Sequence, residues 1–311
     1  MPVDLQIYKF QVYLKFQQPA CLPPYKGSTL RGALALSLKR LVCLKKEFKA
    51  CDSCLLSTSC PYRNIFEPFY IHSGKRISLP TPLILEPPYD DKRFYAREDN
   101  FDFNLILIGR NALEYFPYIV LAIKEMSKTG MGKRYKRGQL KLIKIKNSNR
   151  IVYSHKEEIL KDTYKNPIKI SGKFSEVGKI TVRFISPARI KVGGKLTNNL
   201  PFSILVQAIL RRIAFLDKFY NLFNGVPVDY QDLKARASGI KVIRSRLRWM
   251  DWERFSYRQK TLMKLGGIVG EITYAGDFKE FLPLLEIGSV IHIGKNCAFG
   301  LGKYEIKYSG E

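Results

Sequence analysis

Acidic residues are scarce in this chain: 27 Asp and Glu stand against 53 Lys and Arg over 311 residues, a formal charge of +26. An excess of that size repels itself in the compact state and is tolerated where a polyanion neutralises it. A lysine-rich heat-adapted surface does not account for it, because such surfaces balance Lys with Glu. Long apolar runs are missing too. No stretch approaches the ~20 apolar residues of a membrane span, so no membrane partner is expected, and Met1 to Gln11 lack the basic-then-apolar order of a secretory signal. The expected compartment is the cytoplasm. Thiols stay reduced there, so the six cysteines point away from disulfides. Histidine is rarer still: only His72, His155 and His292 exist.

With 46% hydrophobic and 26% charged residues the composition is that of a folded protein. Its length suits two domains of roughly 150 residues each. Leu5 to Phe16 alternate as a strand, and Gly27 to Cys43 carry Leu30, Leu34, Leu38 and Leu41 at helical spacing. An extended piece over Ser78 to Leu85, a strand over Phe103 to Ile108, a helix over Asn111 to Lys128 and a strand over Gly138 to Lys146 follow. The same order restarts near Lys179: strand Ile180 to Ile185, helix Pro201 to Phe223, strand Lys241 to Trp249, strand Ile268 to Tyr274, a short helix near Phe278 to Glu286 and a last strand Leu301 to Tyr308. The pattern predicts an α+β protein of two tandem ferredoxin-like (RRM-like) βαββαβ domains, 1–165 and 166–311. A cysteine-rich insertion, 43–60, interrupts the first, and the polar stretch Asn147 to Gly178 reads as the linker.

Three local features bear on function. Cys43, Cys51, Cys54 and Cys60 have seven, two and five residues between them, a set that suits a tetrahedral, structural zinc site or else a reduced thiol cluster. The glycine-rich ending from Gly288 to Tyr304 includes Gly294, Gly300 and Gly302, which let backbone approach phosphates, and Lys295 and Lys303 to neutralise them. Its glycines precede a strand rather than open a helix, so a dinucleotide fingerprint is excluded. Positive charge concentrates twice. Lys124 to Arg150 holds ten basic residues, among them Lys133, Arg134 and Arg137, against Glu125, and Lys234 to Lys264 holds ten against Asp251 and Glu253. In the second run Arg244, Arg246 and Arg248 alternate with Ile243, Leu247 and Trp249, which predicts a row of phosphate contacts on one strand face. Such a row suits an A-form stem, read through backbone and shape.

The paired ferredoxin-like order and the terminal Phe299-Gly-Leu-Gly302 loop resemble the RAMP superfamily of CRISPR proteins. The run Pro24-Tyr-Lys-Gly-Ser-Thr-Leu-Arg-Gly-Ala-Leu34, then Cys51-Asp-Ser-Cys54, Cys60-Pro-Tyr62 and Phe66-Glu-Pro68, is similar to the branch of repeat-processing endoribonucleases. Segments from both ends carry the likeness, so it spans nearly all of the chain. The resemblance implies an enzyme that binds and cuts the repeat of precursor CRISPR RNA without a catalytic metal and leaves a 2′,3′-cyclic phosphate. Its partners would be CRISPR repeat RNA, the mature crRNA and subunits of a CRISPR effector complex. A relative that only clasps crRNA in such a complex is the alternative.

Cleavage of that kind needs a base for the 2′-hydroxyl, an acid for the leaving 5′-oxygen and cations on the phosphorane. The family's frequent histidine near the first helix has no counterpart between Gly27 and Cys43. His292 and Lys295, both at the glycine loop, are then the candidate catalytic pair. The alternative set lies in and before the first helix: Tyr25, Lys26, Arg31 and Lys39, with Lys26 and Arg31 also expected to touch RNA. His72 and His155 read as surface residues.

Overall fold

The computed structural model describes residues 5–44, 51–133, 136–170, 177–223, 231–256 and 261–309. They fall into two compact units, Leu5–Ile168 with Phe219–Leu222, and Lys169–Lys218 with Phe223–Glu311. Arg134 lies outside the described residues. Among the described residues no helix is long and apolar enough to cross a membrane.

The N-terminal unit begins with β1 (Ile7–Phe16), where every second residue is buried. Next come α1 (Gly27–Val42), α2 (Pro61–Phe66), β2 (Phe69–His72), β3 (Lys75–Ser78), β4 (Leu83–Glu86), β5 (Phe103–Ile108), α3 (Arg110–Glu114), α4 (Phe116–Thr129), β6 (Leu140–Asn147) and β7 (Arg150–Ser154). The main sheet has the order β7-β6-β1-β5-β4, all antiparallel. Without β7 this is the ferredoxin-like arrangement, in which the first strand sits between the fourth and the third. Helices α1 and α4 cover one face. Leu30, Leu34 and Leu38 of α1 are fully buried, each contributing about 1.5–3 kcal/mol of burial, and Phe10 of β1 stacks on Phe116 of α4 with centroids 3.9 Å apart. Leu41, at the same spacing in the last turn of α1, is 46% exposed.

The C-terminal unit repeats the plan: β8 (Lys179–Ala188), α5 (Phe202–Tyr220), β9 (Lys241–Met250), β10 (Gly267–Ala275), α6 (Leu282–Ile291) and β11 (Tyr304–Ser309). Its sheet order is β9-β10-β8-β11, again antiparallel. Phe202 opens α5 with its ring against Tyr274, Phe278 and Phe281 at 5.1, 5.4 and 5.1 Å. Ile180, Val182 and Phe184 supply the buried face of β8.

Three expectations from the sequence are corrected. The helix over Asn111 to Lys128 is two pieces, because Pro117 cannot donate to a continuing helical ladder and instead starts α4. The polar stretch Asn147 to Gly178 is not one linker: Arg150–Ser154 joins the sheet as an edge strand beside β6. The helix expected to end near Glu286 continues through Ile291, so Gly288 is helical and the irregular glycine loop begins only at His292. A Cβ at Gly288 would collide with the Tyr304 hydroxyl, which donates to Leu285 O.

Candidate nucleic-acid interface

The glycine loop is strapped onto the end of β8. Ile293 N–H donates to Gly302 O at 3.1 Å, Lys295 N–H to Arg189 O at 3.0 Å and Gly302 N–H to Pro187 O at 3.0 Å. The buried Ser186 hydroxyl donates to Gly300 O at 2.7 Å and accepts from Lys303 N–H at 2.9 Å. Gly294 and Gly302 have φ of +86° and +75°, and a Cβ would strike Arg189 O at the first and Ile293 O at the second. The close approach these glycines permit is therefore to the protein's own backbone. The result is a fixed platform that carries Lys295 exposed and Lys303 half-buried.

His292 is not on that platform. It is completely buried, at φ +58°, with Nδ1 3.1 Å from Leu301 O. Its position closing α6 turns the ring inward, so it does not reach a phosphate from outside. Cys297, one turn on, is also buried, and burial pushes its thiol up.

The arginine row stands on β9, an edge strand whose ladder partner is β10. Arg244, Arg246 and Arg248 face Thr273, Glu271 and Val269 across the pair, and all three are exposed. Register places them on one sheet face with Thr181 and Arg183 of β8 and with Glu305 and Lys307 of β11. Among the described residues that open face thus holds seven cations, Lys179, Arg183, Lys241, Arg244, Arg246, Arg248 and Lys307, against Glu271 and Glu305. Glu271 already attracts Arg183 at 3.7 Å and Lys307 at 3.6 Å. The expected apolar reverse of β9 is incomplete. Ile243 sits at a bulge between Val242 and Arg244 and is 52% exposed, because an edge strand with one neighbour has little to pack against.

In the N-terminal unit, Lys133 and Arg137 lie on a small hairpin, Met131–Lys133 with Lys136–Gly138. Both are exposed, and Arg137 Nε donates to Gly130 O at 2.9 Å. Lys136 lies 5.6 Å from the centroid of Phe94, whose ring is 66% exposed. This cation and aromatic pair suits a stacked base and a phosphate. Sequence reasoning missed Phe94, since a lone aromatic in a polar stretch carries no periodicity.

The first-helix set does not converge. Lys26 is fully buried, and its ammonium donates to Pro24 O at 3.0 Å, Asp90 O at 2.6 Å and Asp90 Oδ1 at 2.8 Å. Its three donors hold the start of α1, so neither catalysis nor RNA contact falls to it. Tyr25 is half-buried beside it. Arg31 donates to Phe66 O at 2.8 Å and lies over the Phe66 ring, while Lys39 lies 5.3 Å over Tyr62, so both tie α1 to α2. Lys26 and Lys39 are thirteen residues apart, about 20 Å along a helix, too far to serve one phosphate.

All four clustered cysteines are outside disulfides and partly exposed. Cys54 N–H donates to Cys51 O at 3.3 Å in a tight turn, and Cys60 precedes Pro61 at the start of α2. Burial pushes the Cys51 thiol up; Glu67 and the sulphurs of Cys60 and Cys43 add to this, and Lys39 opposes it. Cys43 and Cys60 are thus within electrostatic reach of Cys51, and thiols are right in type for zinc. Among the described residues, however, no three His, Cys, Asp or Glu side chains are gathered closely enough to hold a metal ion.

The model of the AF_1859 N-terminal domain family matches residues 5–165, and that of the CRISPR-associated endoribonuclease Cas6 matches residues 182–304. An uncharacterized protein of Archaeoglobus fulgidus is 24% identical, over 99% of this chain and 100% of its own. A partial Cas6-RT-Cas1–Cas2 complex superposes with TM-score 0.60 at 16% identity over 99% of this chain, which spans 46% of that longer one. A Cas6 product complex gives TM-score 0.54 at 15% identity, covering 99% of this chain and 100% of that one. Thermus thermophilus Cas6 gives 0.53 at 11%, covering 99% of both. At these identities the superpositions speak for the fold.

Proposed function

We propose that this member of the AF_1859 N-terminal domain family, whose residues 182–304 also match the Cas6 endoribonuclease model, binds CRISPR repeat RNA and cuts it without a catalytic metal. The observation that carries this reading is the open sheet face with Arg183, Arg244, Arg246, Arg248 and Lys307. A flat, exposed array of cations suits the phosphates of an A-form stem, whose deep major groove side chains do not read. The 2′-hydroxyl is the nucleophile. It attacks the adjacent phosphorus, the bond to the 5′-oxygen breaks, and the products are a 2′,3′-cyclic phosphate and a 5′-hydroxyl. No water and no metal ion enters this balance.

Incubation of the protein with labelled repeat RNA in EDTA tests the proposal. Product ending in a cyclic phosphate is expected, and a substrate with one 2′-deoxy nucleotide at the cut site binds but stays whole. Binding without cleavage of the all-ribose RNA would select the second reading, a non-cleaving crRNA-binding subunit of a CRISPR effector complex. The burial of His292 favours that second reading.

Cys43, Cys51, Cys54 and Cys60 are proposed to take one structural zinc ion. Their role would be to fasten the segment between α1 and α2, with no part in the reaction. Thiolate coordination would reverse the upward push on Cys51.

A further inference from the structure

We infer that one face of the β2–β3 hairpin, bearing Tyr70, His72 and Lys75, supplies the proton-transfer groups for RNA cleavage, an assignment that rests on the nuclease reading above. The hairpin turns tightly at Ser73 and Gly74, with φ of +48° and +71°. Its register pairs Phe69 with Ser78, Tyr70 with Ile77, Ile71 with Arg76 and His72 with Lys75. Because side chains alternate, Tyr70, His72, Lys75 and Ile77 share one face. Phe69, Ile71, Arg76 and Ser78 share the other.

The two faces have different work. On the second, Arg76 lies 4.3 Å over the Phe69 ring and meets Asp52 at 2.5 Å and Glu67 at 3.7 Å, so that side is anchored to the cysteine segment and α2. On the first, Tyr70, His72 and Lys75 are exposed. The Tyr70 and His72 rings stand 6.4 Å apart at 61°, and Tyr70 is steadied by Phe219 at 5.9 Å. An imidazole, a phenol and an ammonium therefore sit together on one open surface, while Arg76 on the opposite side pairs with Asp52 and Glu67.

The other histidines lack this setting. His292 is sealed in the core. His155 is exposed but lies in the field of Glu158, which also pairs with Lys124 at 3.1 Å. A carboxylate there repels the phosphate a catalyst has to approach.

In the step assigned, the His72 imidazole takes the proton of the 2′-hydroxyl as its oxygen bonds to phosphorus. Lys75 faces the non-bridging oxygens as their charge grows, and the Tyr70 phenol gives its proton to the departing 5′-oxygen. Proton return from the imidazolium to the phenolate through solvent restores both groups.

The test is single-turnover cleavage of repeat RNA by wild type, His72→Ala, Tyr70→Phe and His155→Ala, with affinity measured in parallel. The expected result is a loss of about 10²–10⁴-fold for His72→Ala, partial recovery of that variant by added free imidazole, a smaller loss for Tyr70→Phe, unchanged affinity throughout, and wild-type cleavage by His155→Ala. A His72→Ala protein that cuts at about the wild-type rate overturns the assignment and leaves the nuclease reading standing. If wild type binds the all-ribose repeat and does not cut it, the nuclease reading falls and this assignment falls with it.

Discussion

Replacing Arg244, Arg246 and Arg248 together by Gln removes three guanidinium groups from one exposed sheet face while leaving the ladder to β10 untouched. Each phosphate contact releases condensed counterions, and log Kobs falls with log salt by about 0.7 to 0.9 per contact. Three contacts therefore account for a slope of roughly 2 to 2.7, and the same number of decades of affinity at about 0.1 M salt. The contributions will not be equal. Arg246 faces Glu271, and that carboxylate already draws Arg183 and Lys307, so Arg246→Gln alone should cost less than Arg244→Gln or Arg248→Gln. Glu271→Gln should tighten binding by freeing cations on the same face. Fluorescence anisotropy with repeat RNA across a salt series reads both affinity and slope, and thermal unfolding checks the fold, which should not change. An unaltered slope for the triple variant would refute the reasoning, because it would mean the row does not meet phosphate.

Protein purified without added metal should contain about one zinc per chain, and Cys51→Ser with Cys54→Ser should lose it; four titratable thiols and no zinc would sink that proposal. Lys26→Met should lower stability by about 2 kcal/mol through loss of charge-assisted bonds to Asp90 and Pro24, measured by urea unfolding, and should leave the salt slope of RNA binding where it is. A reduced slope with normal stability would show Lys26 on the RNA after all.

Local signals went furthest where burial and periodicity coincide. Alternation along Ile7–Phe16 and helical spacing through Leu30, Leu34 and Leu38 mark the strand and helix that the core uses. The tandem βαββαβ order could be read before any contact was known, since each element carries its own period. Exceptions arose where one residue breaks a run, as Pro117 divides α3 from α4, or where a polar strand pairs at an edge, as Arg150–Ser154 does. An edge strand buries little, so its pattern is faint.

By itself the sequence determined that this is a basic, folded, twofold-repeated ferredoxin-like chain with clustered thiols, a glycine loop and an alternating arginine row, because charge, spacing and period are properties of the string. Exposure is not such a property. His292 and Lys26 look like reactive groups beside favourable neighbours, and only the packed structure turns the first into the core and uses up all three donors of the second. Conversely, His72 looks like an incidental surface residue until the register of a four-residue hairpin sets it beside Lys75 and two positions from Tyr70, with Asp52 and Glu67 held on the far side by Arg76. Which face a side chain occupies, and who stands opposite, is decided by strand pairing across a turn, and no count along the chain contains it.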